Sequence, residues 1–247
     1  MVAIVKRPSP NFNARPEGRQ PDMLLMHYTG MKTGGEALAR MCDGDSQVAA
    51  HYMVDIDGTI YQLIDETERA WHAGVASWGS ESNINSASIG VEIVNPGHEF
   101  GYTPFPDVQM AAVTALSKEI IERHNIKPVH VLGHSDVAPT RKQDPGELFN
   151  WQMLAQEAVG FWPQNVVVGN EDPLSSGMVR DQVTVLQEQL VAIGYSLDIT
   201  GCYDITTIAV VTAFQRHWRQ SKIDGVADAE TQATMRAVSH AVFKSGK

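Results

Sequence analysis

The hydrophobic pattern of this chain changes period partway along, and that change limits the possible folds more than any other feature. Up to about residue 163, short apolar runs of strand length alternate with segments of helical spacing. Met23-Leu-Leu-Met-His27-Tyr-Thr29 reads as a buried strand with a histidine at its tip. Tyr52–Leu63 alternates around Asp57-Gly58 and predicts a hairpin, and Ile89–Val94 predicts another short strand that holds one acid, Glu92. Between Pro106 and Asn125, the residues Val113, Leu116 and Ile120 mark an amphipathic helix. Val129–Leu132 then predicts a strand leading into Gly133-His134, and Trp151–Val159 a short helix. This alternation predicts an α/β layered domain.

From Trp162-Pro163 to Ser176-Gly177 periodicity fades, and beyond it only helical spacing remains. Val183, Leu186, Leu190 and Ile193 lead to a terminating Gly194. Val211, Phe214 and Trp218 follow the N-cap Asp204, and Met235, Val238 and Val242 follow Asp228. The expected organisation is therefore a domain over 1–163, a linker over 164–177 and a small three-helix domain over 178–247.

Composition removes several function classes. The 247 residues are 43% hydrophobic and carry a formal charge of −10, with no Lys/Arg run able to displace counterions from DNA or RNA. No stretch approaches the ~20 apolar residues of a membrane span. The N-terminal residues do not read as a secretory signal, so a cytoplasmic location is expected if this N-terminus is native, and the periplasm or cell envelope if a signal has been removed. Cys42 and Cys202 fall in different expected domains and read as two unpaired thiols.

Histidine is the commonest zinc ligand, and a catalytic zinc site commonly takes three protein ligands and one open position. His27 at the end of the first strand, His134 at the end of the last, and Asp144 in the loop that follows can reach one sheet edge. Spacing alone does not separate such a site from ordinary hydrogen-bonded histidines.

The strings His27-Tyr-Thr-Gly, Ala50-His-Tyr-Met-Val, Asp57-Gly-Thr-Ile-Tyr-Gln62, Trp71-His-Ala-Gly74, Ser88-Ile-Gly-Val-Glu92, Gly133-His-Ser-Asp-Val-Ala-Pro and Arg141-Lys-Gln-Asp-Pro-Gly146 occur in this order. Together they resemble the zinc-dependent N-acetylmuramoyl-L-alanine amidases of the AmpD/AmiD kind, relatives of the peptidoglycan recognition proteins, over roughly residues 20–163. Tyr28 and the Trp71–Gly74 run look more like the AmiD type. The resemblance implies a mixed central β-sheet flanked by helices. It also implies an enzyme that cuts the bond between N-acetylmuramic acid, or its anhydro form, and L-alanine, in cell-wall turnover or recycling.

Carried over by position, the resemblance implies one Zn2+ per chain bound by His27, His134 and Asp144. It makes Glu92 the general base and acid, and Lys142 the donor to the oxyanion. Tyr28, Trp71, His72, Ala73 and Arg141 are candidates for the substrate groove. His51 is either packed within the sheet or a residue that orients a ligand. His98, His124, His130, His217 and His240 read as ordinary surface or core histidines.

In the tail, Leu186-Gln187, Leu190, Gly194-Tyr195, Ala213-Phe214-Gln215 and Asp224-Gly225-Val226 with Asp228 and Thr231 are similar to the small peptidoglycan-binding domain often fused to wall enzymes. Thr200-Gly201 and Asp204 depart from its usual pattern, which bears on sugar binding and not on the fold. Phe214 and Trp218 read as core. The expected partner is peptidoglycan or a muropeptide, with no nucleic acid, no membrane span and no obligate protein partner. The competing expectation is a non-catalytic muropeptide-binding module.

Overall fold

Among residues 2–245, which the computed structural model describes, the apolar runs become short strands: β1 (Ile4–Lys6), β2 (Phe12–Ala14), β3 (Met23–Tyr28), β4 (Tyr52–Val54), β5 (Ile60–Gln62), β6 (Glu68–Ala70), β7 (Ser88–Ile93) and β8 (Val131–Gly133). Six of them form one sheet in the order β1-β5-β4-β7-β3-β8, while β2 and β6 pair as a separate antiparallel ribbon. The predicted hairpin about Asp57-Gly58 is the antiparallel β4–β5 pair, and β4, β7, β3 and β8 run parallel. β3 sits between β7 and β8, covered on both sides, which is why its sequence is a continuous apolar run and does not alternate.

The helices are α1 (Gly34–Cys42), α2 (Ile84–Ala87), α3 (Gly97–Phe100), α4 (Asp107–His124), α5 (His134–Val137), α6 (Trp151–Gln156), α7 (Asp181–Ile193), α8 (Ile205–Trp218) and α9 (Ala229–Ser245). α4 packs its Val113, Leu116 and Ile120 stripe into the sheet core beside Ile89, Val91 and Ile93. It begins after Pro106 and stops at Asn125, whose left-handed φ of 51° turns the chain away. None of these helices is long and apolar enough to cross a membrane.

α7, α8 and α9 form the expected bundle. Asp204 caps α8 by accepting from the Thr207 N–H at 2.8 Å, and Asp228 accepts from the Thr231 N–H at 3.0 Å. The bundle does not hang from a tether. One buried cluster runs from Met23, Leu25 and Trp78 of the first region into Leu190, Tyr195 and Phe214 of the tail. Gly194 illustrates how close the approach is: a Cβ there would lie 2.3 Å from the Trp78 indole, so the residue that ends α7 must also lack a side chain. Leu174, within the expected linker, already pairs with Ala227 of the tail.

Candidate metal centre and active-site cleft

Strand register brings the candidate residues together. His27 on β3 is opposite Glu92 on β7, and Met26 is opposite Gly133 on β8, so His27, Glu92 and His134 emerge side by side at the carboxyl ends of parallel strands. Open α/β sheets place their ligands at this edge. Asp144 returns to it through a loop closed by the Ser135 N–H donating to the Asp144 carbonyl at 2.9 Å.

Nδ1 of His27, Nδ1 of His134 and Oδ2 of Asp144 form a triangle with sides of 3.0 Å, and all three residues are buried. The other imidazole nitrogens settle the tautomers. The Ser88 hydroxyl donates to the Ile84 carbonyl at 2.6 Å, so its oxygen accepts from His72 Nε2 at 3.3 Å. His72 Nδ1 in turn accepts from His27 Nε2 at 3.0 Å. His134 Nε2 donates to the Ala73 carbonyl at 2.9 Å. Both rings thus turn an unprotonated Nδ1 toward a carboxylate oxygen. Three lone pairs facing one another repel, and a cation held ~2.0–2.2 Å from each relieves that repulsion.

The electrostatics agree. Burial, reinforced by the neighbouring His134, pushes the His27 imidazole down to about 4, so it is neutral at pH 7 and its contact with Asp144 is not an ion pair. With each ring turning an unprotonated Nδ1 toward the Asp144 oxygen, the three groups offer the lone pairs that metal ligation requires.

The three residues line a cleft of about 670 Å³, together with Glu92, Tyr28 and Lys142. Oε2 of Glu92 is buried without a hydrogen-bond partner. Burial, then the charge of Asp144, raises its carboxyl well above the usual value, against the opposing pull of Lys142. An unpaired buried oxygen in a cleft has a cost that a structural role does not explain. Lys142 forms no side-chain ion pair among the described residues. Tyr28 donates to His98 Nδ1 at 3.0 Å, and His98 donates on to Glu147 at 3.1 Å.

The remaining candidates are placed differently. Arg141 reaches the cleft, but its guanidinium donates to the carbonyls of Ala73 and Val75 at 2.8 and 2.7 Å, bracing the loop that also holds His134. Ala73 contributes that carbonyl, and its own N–H is anchored by Asn85 Oδ1 at 2.7 Å. Trp71 does not line the cleft: its indole N–H donates to Asn13 on β2 at 2.7 Å, because the chain leaving β6 stays against the β2–β6 ribbon. His72, expected in a sugar-facing groove, lines the cleft but is 6% exposed, with its ring bonded to His27.

His51 touches no ligand. Its Nδ1 accepts from the Gly90 N–H at 2.9 Å and its Nε2 donates to the Glu68 carbonyl at 3.1 Å, with the ring set against His72. Burial, with Arg15 adding, pushes it down to about 3. The ring that supports His27 is therefore His72, and Gly90 makes room for it, since a Cβ there would lie 2.6 Å from the His72 ring. Asn85 and Ser88, not singled out in the sequence, complete the support. The Ser88-Ile-Gly-Val-Glu92 string held that signal.

Comparison with known proteins adds independent information. The family model described as N-acetylmuramoyl-L-alanine amidase matches residues 17–147, and one for a peptidoglycan binding domain matches residues 179–235. The chain is 37% identical to the N-acetylmuramoyl-L-alanine amidase AmiD of Escherichia coli K12, covering 87% of this chain and 81% of that protein. The solved structure of the E. coli AmiD complex with anhydro-N-acetylmuramic acid-L-Ala-D-gamma-Glu-L-Lys superposes with a TM-score of 0.78 at 35% identity, covering 92% of each chain. AmpDh3 of Pseudomonas aeruginosa, solved with an anhydromuramic pentapeptide, gives a TM-score of 0.78 at 29% identity, covering 92% of this chain and 94% of that one. Because the amidase model spans more than half of the sequence and AmiD matches most of both chains, the chain belongs to the N-acetylmuramoyl-L-alanine amidase family.

Proposed function

We propose that this chain hydrolyses the amide between the lactyl group of N-acetylmuramic acid, or its anhydro form, and L-alanine, using one zinc ion held by His27, His134 and Asp144. The observation that carries this reading is the convergence of three lone pairs at 3.0 Å on the wall of a cleft that also holds the unpartnered Glu92 Oε2. Two nitrogens and one oxygen suit zinc, and three protein ligands leave one coordination position open. When bound, zinc supplies Lewis acidity, polarising the carbonyl and lowering the pKa of water to about 7.

The chain's own residues do the rest. Glu92 takes the proton of the attacking water on Oε2, which has no other partner, and passes it to the alanine nitrogen as the C–N bond breaks. The Lys142 ammonium donates to the oxygen that becomes negative in the tetrahedral intermediate. His72 and the Ala73 carbonyl keep the two imidazoles in their ligating tautomer. The cleft floor and metal site lie within residues 1–163, which we assign as the catalytic domain, with 164–177 as connection and 178–247 as the helical domain.

Incubating the protein with muropeptides, with and without a chelator, tests the reading. Mass spectrometry is expected to show free stem peptide only in the metal-replete sample, and its absence there would leave a muropeptide-binding module as the better account. Because AmiD and AmpDh3 were solved with anhydromuramyl peptides, soluble anhydro-muropeptide is expected to be cleaved, and a rate comparison with whole sacculi measures the preference.

A further inference from the structure

Buried or half-buried arginines in this molecule almost all find partners. Arg219, whose Nε is likewise without a partner, still donates through Nη2 to Asp228 and Glu230 at 2.9 Å, and the half-buried Arg15 donates to the carbonyls of Glu66, Asn85, Ser86 and Ser88. Arg216 on α8 is different. Its side chain is only 16% exposed, yet its one hydrogen bond goes to the neutral Gln143 Oε1 at 3.2 Å, and its Nε is buried without a partner. The nearest carboxylate oxygen, Glu147 Oε2, lies 3.9 Å away and already accepts from His98 at 3.1 Å. Burial pushes the guanidinium below its ordinary value, as expected for a positive charge that is incompletely matched.

This arginine borders a crevice of about 250 Å³ between α8 and the loop 139–143. Arg141 and Lys142 also line it, no acidic residue does, and Arg141, Lys142 and Gln143 are shared with the main cleft. In a chain of formal charge −10, three cations gathered beside an active site form a local exception. The substrate class supplies the complement, because a γ-linked D-Glu leaves its α-carboxylate free and the peptide ends in another.

We propose that the crevice is a carboxylate subsite for the stem peptide, with Arg216 of the helical tail as its selecting residue. The tail thereby contributes to substrate choice from within the seam. This rests on the amidase reading above, but the test does not need turnover.

Calorimetry with the intact, zinc-loaded protein would measure binding of the peptide L-Ala-γ-D-Glu-L-Lys and of two forms amidated at either the D-Glu α-carboxyl or the C-terminus. Wild type is expected to lose about 10-fold or more in affinity for the form lacking the recognised carboxylate, as for a charge-assisted hydrogen bond. Arg216→Ala is expected to bind the unmodified peptide about 10-fold more weakly and to show no further loss on that same amidation. Arg216→Lys is expected to restore part of the affinity, and Arg216→Gln provides a second neutral variant should the alanine form fold poorly. Unchanged affinity in the neutral variants, an undiminished amidation effect in them, or no measurable peptide binding by wild type would each overturn the proposal. Failure of muropeptide cleavage alone would instead count against the amidase reading.

Discussion

Glu92 and Gln215 are both polar residues set among apolar neighbours on a regular element, yet they end in opposite states. Glu92 faces the cleft with Oε2 unpartnered. Gln215 is 0% exposed and closed on every side: its Nε2 donates to the Val226 carbonyl at 2.9 Å and Thr231 Oγ1 at 3.3 Å, and its Oε1 accepts the N–H groups of Asp224 and Gly225 at 3.0 and 2.9 Å. Gln187 does the same one helix earlier, bracing the Thr200–Cys202 turn. The motif residues of the catalytic region converge and leave valences open; those of the tail use them up on one another. Two motifs of similar polarity thus serve different ends, one a site and the other a fold.

The seam between the regions follows the tail's rule. Asp136, two residues beyond His134, accepts from the Gly133 N–H, the Tyr195 hydroxyl and His217 Nδ1, each at 2.7 Å. The His217 ring is stacked between Trp151 at 3.9 Å and Trp218 at 3.8 Å. A histidine read from sequence as ordinary is therefore part of a buried polar joint.

The contrast can be broken most directly at its open end. Glu92→Ala is expected to keep zinc, by metal analysis, while turnover on muropeptide falls by at least ~100-fold; near-normal turnover would remove Glu92 from the reaction. His72→Ala leaves the three ligand residues and Glu92 in place but removes the acceptor for His27 Nε2. Zinc affinity, measured by competition with a chelator, is expected to weaken by roughly 10–100-fold. An unchanged affinity would mean that the tautomer does not depend on His72.

At the closed end, Gln215→Leu strands two turn N–H groups and is expected to lower stability to urea by about 2 kcal/mol while zinc content stays at one per chain. A loss of zinc without loss of stability would reverse the roles given to the two regions. The smallest effect sharpens the rule inside the catalytic region, where Glu66 is a closed acid bonded to Tyr52, Arg123 and His124. Burial would raise its carboxyl, but these partners outweigh burial and hold it at about 2 against an ordinary 4.5. A depressed acid contributes stability above its unfolded pKa and loses it as pH falls from about 4.5 toward 2. Glu66→Gln should accordingly show a smaller drop in unfolding midpoint between pH 7 and pH 3 than wild type does. Equal drops would show that the partners do not stabilise the charged form.

Much of this was legible in advance where the signal was local. The α4 boundaries at Pro106 and Asn125, the turn at Asp57-Gly58, the stop at Gly194 and the caps at Asp204 and Asp228 each depend on a residue and its near neighbours. Resemblance supplied His27, His134, Asp144 and Glu92, and the structure places all four in one cleft. α1 lay outside the predicted elements because Gly34-Gly35 weaken the helical pattern at its start, although Thr33 caps it by accepting from the Glu36 N–H at 3.2 Å. Three-residue strands such as β1, β2 and β6 carry too little pattern to be seen until their partners are known.

The sequence by itself determined where helices and turns begin and end, and which donor atoms were available for a metal. Caps, periodicity and side-chain chemistry act within a few residues of the chain, so they can be read without coordinates. Only the tertiary structure decided which nitrogen each imidazole presents, that His72 and not His51 supports His27, and that Arg216 comes no closer than 3.9 Å to the Glu147 carboxylate. Those outcomes depend on partners far away in the chain, and a hydrogen bond between distant residues leaves no periodic trace in the sequence.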